Sequence, residues 1–122
     1  MALRTKKNIF FLLLICIAQL AFAQNAYIDS LKKILTSVTN DTTRLSILDS
    51  LWYAYAWSKP DTSLSYAQQQ LLEAKKIKSP KWEARALTNY GYCQYIMGNF
   101  PLAIDNEFQA LKIAEKIKEE SR

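Results

Sequence analysis

The chain carries 11 acidic residues and no histidine, so the commonest general base is absent and acid–base chemistry would fall first to aspartate and glutamate. A general acid and base need two groups converging on one substrate. Here Asp29, Asp41, Asp49, Asp61, Glu73, Glu83, Asp105, Glu107 and Glu115 are spread singly along helix faces and turns. Asp105 and Glu107 are two apart and do not share a helical face. Missing histidine also removes the commonest metal ligand. Gly91 and Gly98 are the two glycines, too few for a phosphate-cradling loop or a nucleophile elbow. No catalytic residue, cofactor site or metal site is expected. The chemistry left is non-covalent recognition. Tyr92 and Tyr95 are three apart and share one helical face, with Asn89 one turn and Arg85 two turns earlier. Tyrosine and tryptophan supply large contact area at low rotamer cost, which suits peptide recognition.

Those side chains require helices, and five are predicted. Tyr27 to Val38 is amphipathic, with Ile28, Leu31, Ile34, Leu35 and Val38 on one face. Asn40-Asp41 offers an N-cap for a second helix through about Trp57. Pro60-Asp61 opens a third that ends near Lys78. Ser79-Pro80, a serine cap before a first-position proline, starts a fourth that runs to Met97. A fifth runs from about Phe100 to Glu119. Connections are short and no alternating strand pattern competes, so the class is all-α. Gly91 lies inside an aromatic-rich helical run, where glycine costs about 1 kcal/mol relative to alanine. A close neighbouring helix would explain that cost. Gly98 looks like a left-handed helix terminator, with Asn99 available to start the next helix. Ala103 and Ala110 place small residues seven apart on one face.

Leu87, Tyr90-Gly91, Gly98, Phe100, Ala103 and Ala110 together resemble the tetratricopeptide repeat (TPR). Gln94 stands where a tyrosine is usual and Glu107 where an aromatic is usual, with Tyr95 and Phe108 one position later. A weaker copy upstream pairs Leu48, Leu51, Trp52, Tyr55 and Trp57 with Leu64, Ala67, Leu71 and Ala74. Leu71 to Leu111 and Ala74 to Ala114 are each 40 residues, longer than the usual period of 34. The pattern resembles long-period repeats of extracytoplasmic bacterial proteins, including sensor regions of histidine kinases and helix-turn-helix regulators. It implies antiparallel helix pairs stacked as a short TPR-like α-solenoid, with pairs at 41–78 and 79–119 of a repeat region 41–122, behind a leading helix at 24–40. In such repeats the first helix of each pair lines a concave groove. Carried over, the resemblance implies peptide contacts from Asp49, Tyr53 and Trp57, and from Arg85, Thr88, Asn89, Tyr92 and Tyr95, with Ile96 beside them. The competing reading is that these aromatics pack one repeat against the next. Arg85 and Asn89 could pair with a peptide carboxylate, whereas Asp49 has the wrong sign for the lysine of carboxylate-clamp members.

Residues 1–23 read as a secretory signal peptide. Arg4, Lys6 and Lys7 precede the apolar run from Ile9 to Ala23, and Ala21-Phe22-Ala23 is an A-x-A cleavage site. The run is 15 residues, short of the roughly 18 to 20 needed to cross a bilayer. Ile15 before Cys16 is too bulky for a lipoprotein signal. Without this segment 13 basic residues face 11 acidic ones, a net charge of +2. Lys75-Lys76-x-Lys78 ends a helix, where it complements the dipole. Nucleic-acid binding is rejected for want of a basic face. One cysteine, Cys93, remains, so no intramolecular disulfide forms, and it is expected to behave as a small hydrophobe.

The expected function is a non-catalytic exported scaffold for a peptide or protein partner. The alternative is an N-terminal input fragment of a longer signalling protein. Membrane association is expected only if the leader stays uncleaved or the chain belongs to a membrane sensor. The last helix still carries Ile104, Phe108, Leu111, Ile113 and Ile117, and repeat arrays generally need three or more repeats and a polar cap. Either the chain self-associates through that C-terminal face, or it is part of a longer array, the reading favoured here.

Overall fold

The computed structural model describes residues 2–122, which form five helices: α1 (Ala2–Ser37), α2 (Asp41–Tyr55), α3 (Pro60–Lys76), α4 (Pro80–Ile96) and α5 (Phe100–Glu120). No strand occurs among the described residues. Each helix packs on the next, and α2 also touches α4. That pattern is an α-solenoid of two antiparallel pairs, α2/α3 and α4/α5, led by the C-terminal part of α1.

Local chemistry sets the helix ends. The Asn40 side chain accepts from the Thr43 amide at 2.9 Å and caps α2. Ser79 accepts from the Trp82 amide and caps α4. Prolines occupy the opening turns of α3, α4 and α5, where a missing amide hydrogen costs no helical bond. Gly98 has φ +81° and ends α4, with its amide on the Tyr95 carbonyl and that of Asn99 on the Gln94 carbonyl. This paired closure satisfies two terminal carbonyls. The end of α3 closes in the same way, with Lys78 bonded to Lys75 and Ser79 to Ala74. There the left-handed position, φ 53°, is held by Lys78, a residue for which that conformation is costly. Asn99 does not cap α5 as expected. Its side-chain amide turns back to donate to Gln94 Oε1 at 2.8 Å.

Small residues let the helices approach. Ser63, Ala67, Gln70 and Ala74 form one fully buried stripe along α3, against Leu45, Leu48 and Leu51 of α2. Gly91 is a site of close approach, as its sequence context predicted. A Cβ there would lie 3.2 Å from the Ala103 carbonyl oxygen and 3.3 Å from Asn106 Cβ, both on α5. Ile28 and Leu31 of α1 bury against Ile47 and Leu51, flanked by stacked Tyr55 and Tyr66 rings 5.9 Å apart. Arg44 fastens this corner. It pairs with Glu73 at 2.7 Å and donates to the Leu35 carbonyl at 2.8 Å, so one side chain joins α1, α2 and α3.

The leading helix departs from expectation in two ways. It does not begin near Tyr27 but runs unbroken from Ala2, since no glycine or proline interrupts residues 2–37. Its most apolar 18-residue stretch has a mean hydropathy of 2.0, so by length and composition the helix could cross a membrane, a property that a signal sequence near the N-terminus shares. Residues 2–27 are all exposed. Ile34, assigned to the buried face, is 44% exposed.

Candidate functional site

α2 and α4 lie side by side, and a buried polar chain locks their junction with α3. Asn89 is 2% exposed and donates from one side-chain nitrogen to Asp49 Oδ1 at 2.6 Å and to Gln70 Oε1 at 2.8 Å. Gln70, fully buried, donates to Asp49 and to the Leu45 carbonyl, each at 3.3 Å. Arg85 grips the same carboxylate through two bonds of 2.9 and 3.0 Å. Burial opposes charge on Asp49. The donors Arg85, Asn89 and Gln70 together outweigh it and hold the carboxyl below its usual range. Further along, the Trp52 indole donates to the Asn89 carbonyl at 3.1 Å and to Cys93 Sγ at 3.2 Å, while Ser63 donates to the Trp52 carbonyl at 2.7 Å. No buried side-chain nitrogen or oxygen among the described residues lacks a partner. Such a satisfied network fixes the relative position of three helices.

On this base stands a cluster of four rings. Tyr92 meets Trp52 edge-on at 5.7 Å and Trp57 edge-on at 5.6 Å, and Trp52 is tilted against Tyr53 at 6.3 Å. Tyr92 is half-buried between its neighbours, and partial burial pushes its phenol above the usual value. Tyr53 and Trp57 remain 71% and 73% exposed. Together with Asp49 and Arg85, these two rings line an open cleft of about 470 Å³ that reaches Gln24 and Tyr27 of α1.

The eight residues assigned to a groove by their sequence positions therefore separate into three groups. Tyr53, Trp57 and Tyr92 form one aromatic surface. Asp49, Arg85 and Asn89 converge, but on one another. Asn89 corrects the expectation of a ligand-facing amide, because both its donor bonds are made inside the junction. Arg85 keeps an exposed side chain, yet its guanidinium is already paired with Asp49. Tyr95 stands apart, tilted against Phe100 at 5.7 Å, and with Thr88 it faces the clefts between α4 and α5. Sequence reasoning missed Trp52 and Gln70. Gln70 was detectable as the one amide in the Ser63–Ala67–Gln70–Ala74 stripe, whose spacing of three and four marks an inward face.

Nothing in this arrangement presents an activated nucleophile or an acid–base pair to a cleft. What it offers is shape, exposed rings and a rigid base. Residues 19–119 match the family model described as SusR N-terminal TPR domain. No curated protein and no solved structure matches the chain.

Proposed function

This chain belongs to the SusR N-terminal TPR domain family, and we propose that it is a non-catalytic scaffold that binds a peptide or protein segment along the inner face of α2 and α4. A TPR domain is a protein-interaction scaffold. One observation carries the finer reading: Tyr53 and Trp57 keep open faces while ring contacts hold them in place. Large aromatics fixed before binding lose little entropy on contact, which is why such residues dominate interface energetics. The Asp49–Arg85 pair sets polarity at one end of the surface. Because it is nearly self-neutralised, an apolar or aromatic segment fits better than a terminal carboxylate. The test uses peptides selected by phage display on the protein. Trp57→Ala should weaken the selected peptides by about 1–3 kcal/mol with the unfolding midpoint nearly unchanged. Unchanged affinity would overturn this reading.

Export is part of the proposal. It rests on the basic start, the apolar run, the Ala21-Phe22-Ala23 site and the exposure of every residue from 2 to 27, whose loss removes nothing buried. A second reading, an input domain of a longer signalling protein, is favoured by the family's description as an N-terminal domain. Sequencing the gene beyond Arg122 decides it. An in-frame kinase or DNA-binding domain supports that reading, and an immediate stop codon overturns it.

A further inference from the structure

Cleavage after Ala23, the export reading on which this inference rests, turns Gln24 from a residue within α1 into the first residue of the chain. Glutamine has a particular chemistry in that position, because its side-chain amide carbon can close a five-membered ring onto its own α-amino nitrogen. Packing does not oppose the closure. Gln24 to Tyr27 are exposed, and burial of α1 begins at Ile28. The first amides of a helix also have no intrahelical partner, so the leading residue can leave helical geometry at little cost. Two features disfavour a charged amine there. The amine would stand at the N-terminus of the shortened α1, the positive end of its dipole, where a cation is unfavourable. Gln24 also lines the aromatic cleft with Tyr53 and Trp57, and the one carboxylate lining that cleft, Asp49, is already held by Arg85, Asn89 and Gln70. An ammonium at residue 24 finds no free anion in the cleft, whereas a neutral group needs none. An α-amino group loses its proton near about pH 8, so at neutral pH a substantial share is the nucleophilic free base.

We propose that Gln24 is a modification site: once the leader is removed, its α-amino nitrogen attacks its own side-chain carboxamide and closes a pyroglutamate ring, which becomes one wall of the aromatic cleft. The step balances without a co-reactant. The amine lone pair forms the new bond from nitrogen to Cδ, the bond from Cδ to Nε2 breaks, and Nε2 leaves as ammonia with one proton taken from the amine. The product is a compact, uncharged lactam with one N–H and one carbonyl. Ring closure removes the charge that processing creates near Tyr53 and Trp57, and it leaves the Asp49–Arg85 pair undisturbed. It also blocks the free amine that aminopeptidases require. Trimming from this end would take Tyr27 from the cleft and then Ile28 from the contact between α1 and α2.

The test uses the full chain, expressed with its leader and recovered from outside the cytoplasm, with intact mass followed over days at neutral pH. Nearly all molecules should come to weigh one ammonia less than residues 24–122, and N-terminal sequencing should be blocked. Gln24→Ala should be exported and cleaved in the same way, with a free amine and no ammonia lost. Residues 24–122 with a lasting free amine would overturn this proposal and leave the export reading standing. A chain that begins at Met1, or anywhere other than residue 24, would overturn the export reading and this proposal with it. Loss of ammonia from Gln24→Ala as well would assign the reaction to another residue and overturn it too. Indole N–H signals in NMR read where the ring sits. The Trp57 signal should differ between the cyclised chain and Gln24→Ala, with Trp82, in a cleft between α4 and α5, unchanged. Identical Trp57 signals would overturn the assignment of the ring to the cleft.

Discussion

Replacing Asp49 by alanine separates two contributions that meet on one carboxylate. Asp49 holds the buried amide of Asn89 at 2.6 Å and the exposed guanidinium of Arg85 at 2.9 Å. Removing a buried amide's charged acceptor costs about 1.5–3 kcal/mol, since the amide cannot turn to water. An exposed ion pair contributes about 0.2–1 kcal/mol. Asp49→Ala should therefore cost about 2–3 kcal/mol, and Arg85→Ala about 1 kcal/mol or less. Asp49→Asn should fall between them, because its amide oxygen still accepts from Asn89. Urea unfolding followed by tryptophan fluorescence measures all three, at low and high salt. The gap between Asp49→Ala and Arg85→Ala should survive salt, which screens exposed charge far more than buried bonds. Acid gives an independent check. The folded carboxyl titrates below its unfolded value, so its contribution is complete above the ordinary carboxylate range and disappears as pH falls through the folded value. Asp49→Asn should flatten that acid limb. Equal costs for Asp49→Ala and Arg85→Ala would refute the reasoning, because the ion pair and not the buried amide would then hold the junction.

Gly91→Leu should overpack α4 against α5 and cost about 1–3 kcal/mol or more, and unchanged thermal stability would place the glycine at a loose contact. Lys78→Gly should raise stability by about 0.5–1 kcal/mol in urea unfolding, since it relieves a left-handed lysine, and a loss would mean the lysine side chain matters more than its backbone. Mass spectrometry of exported protein should find Gln24 at the N-terminus. An intact leader there would favour an anchored form.

Helix ends and close contacts were legible because single residues encode them. Ser79, Pro80 and Gly98 each have a local reason to stand where they do, and Gly91 announces its neighbour by the cost of keeping it. Lys78 was not legible, because the paired closure of α3 imposes a left-handed backbone that lysine itself disfavours. The continuous α1 was missed for the opposite reason: a change of role from leader to packing helix need not change the backbone. At the candidate site, the pattern placed these residues on α2 and α4 but did not say which polar groups face inward. Arg85, Asn89 and Asp49 all read as groove residues facing a ligand, whereas the structure pairs them with one another. The 40-residue spacing from Asp49 to Asn89 equals the repeat period, and that was the available clue to equivalent places on adjoining helices. Ring contacts across α2 and α4 depend on the tilt between helices, which one sequence does not specify.

The three tryptophan indoles test the central claim most directly, because each reports a different place. Trp52 is bonded within the junction, Trp57 stands on the exposed aromatic surface, and Trp82 lines the α4/α5 groove. Indole N–H signals of isotope-labelled protein, followed by NMR as a display-selected peptide is added, identify the contact surface. The account predicts that the Trp57 signal shifts and saturates with the binding curve, with Trp52 moving less and Trp82 unmoved. Saturating shifts at Trp82 with Trp57 unmoved would contradict it.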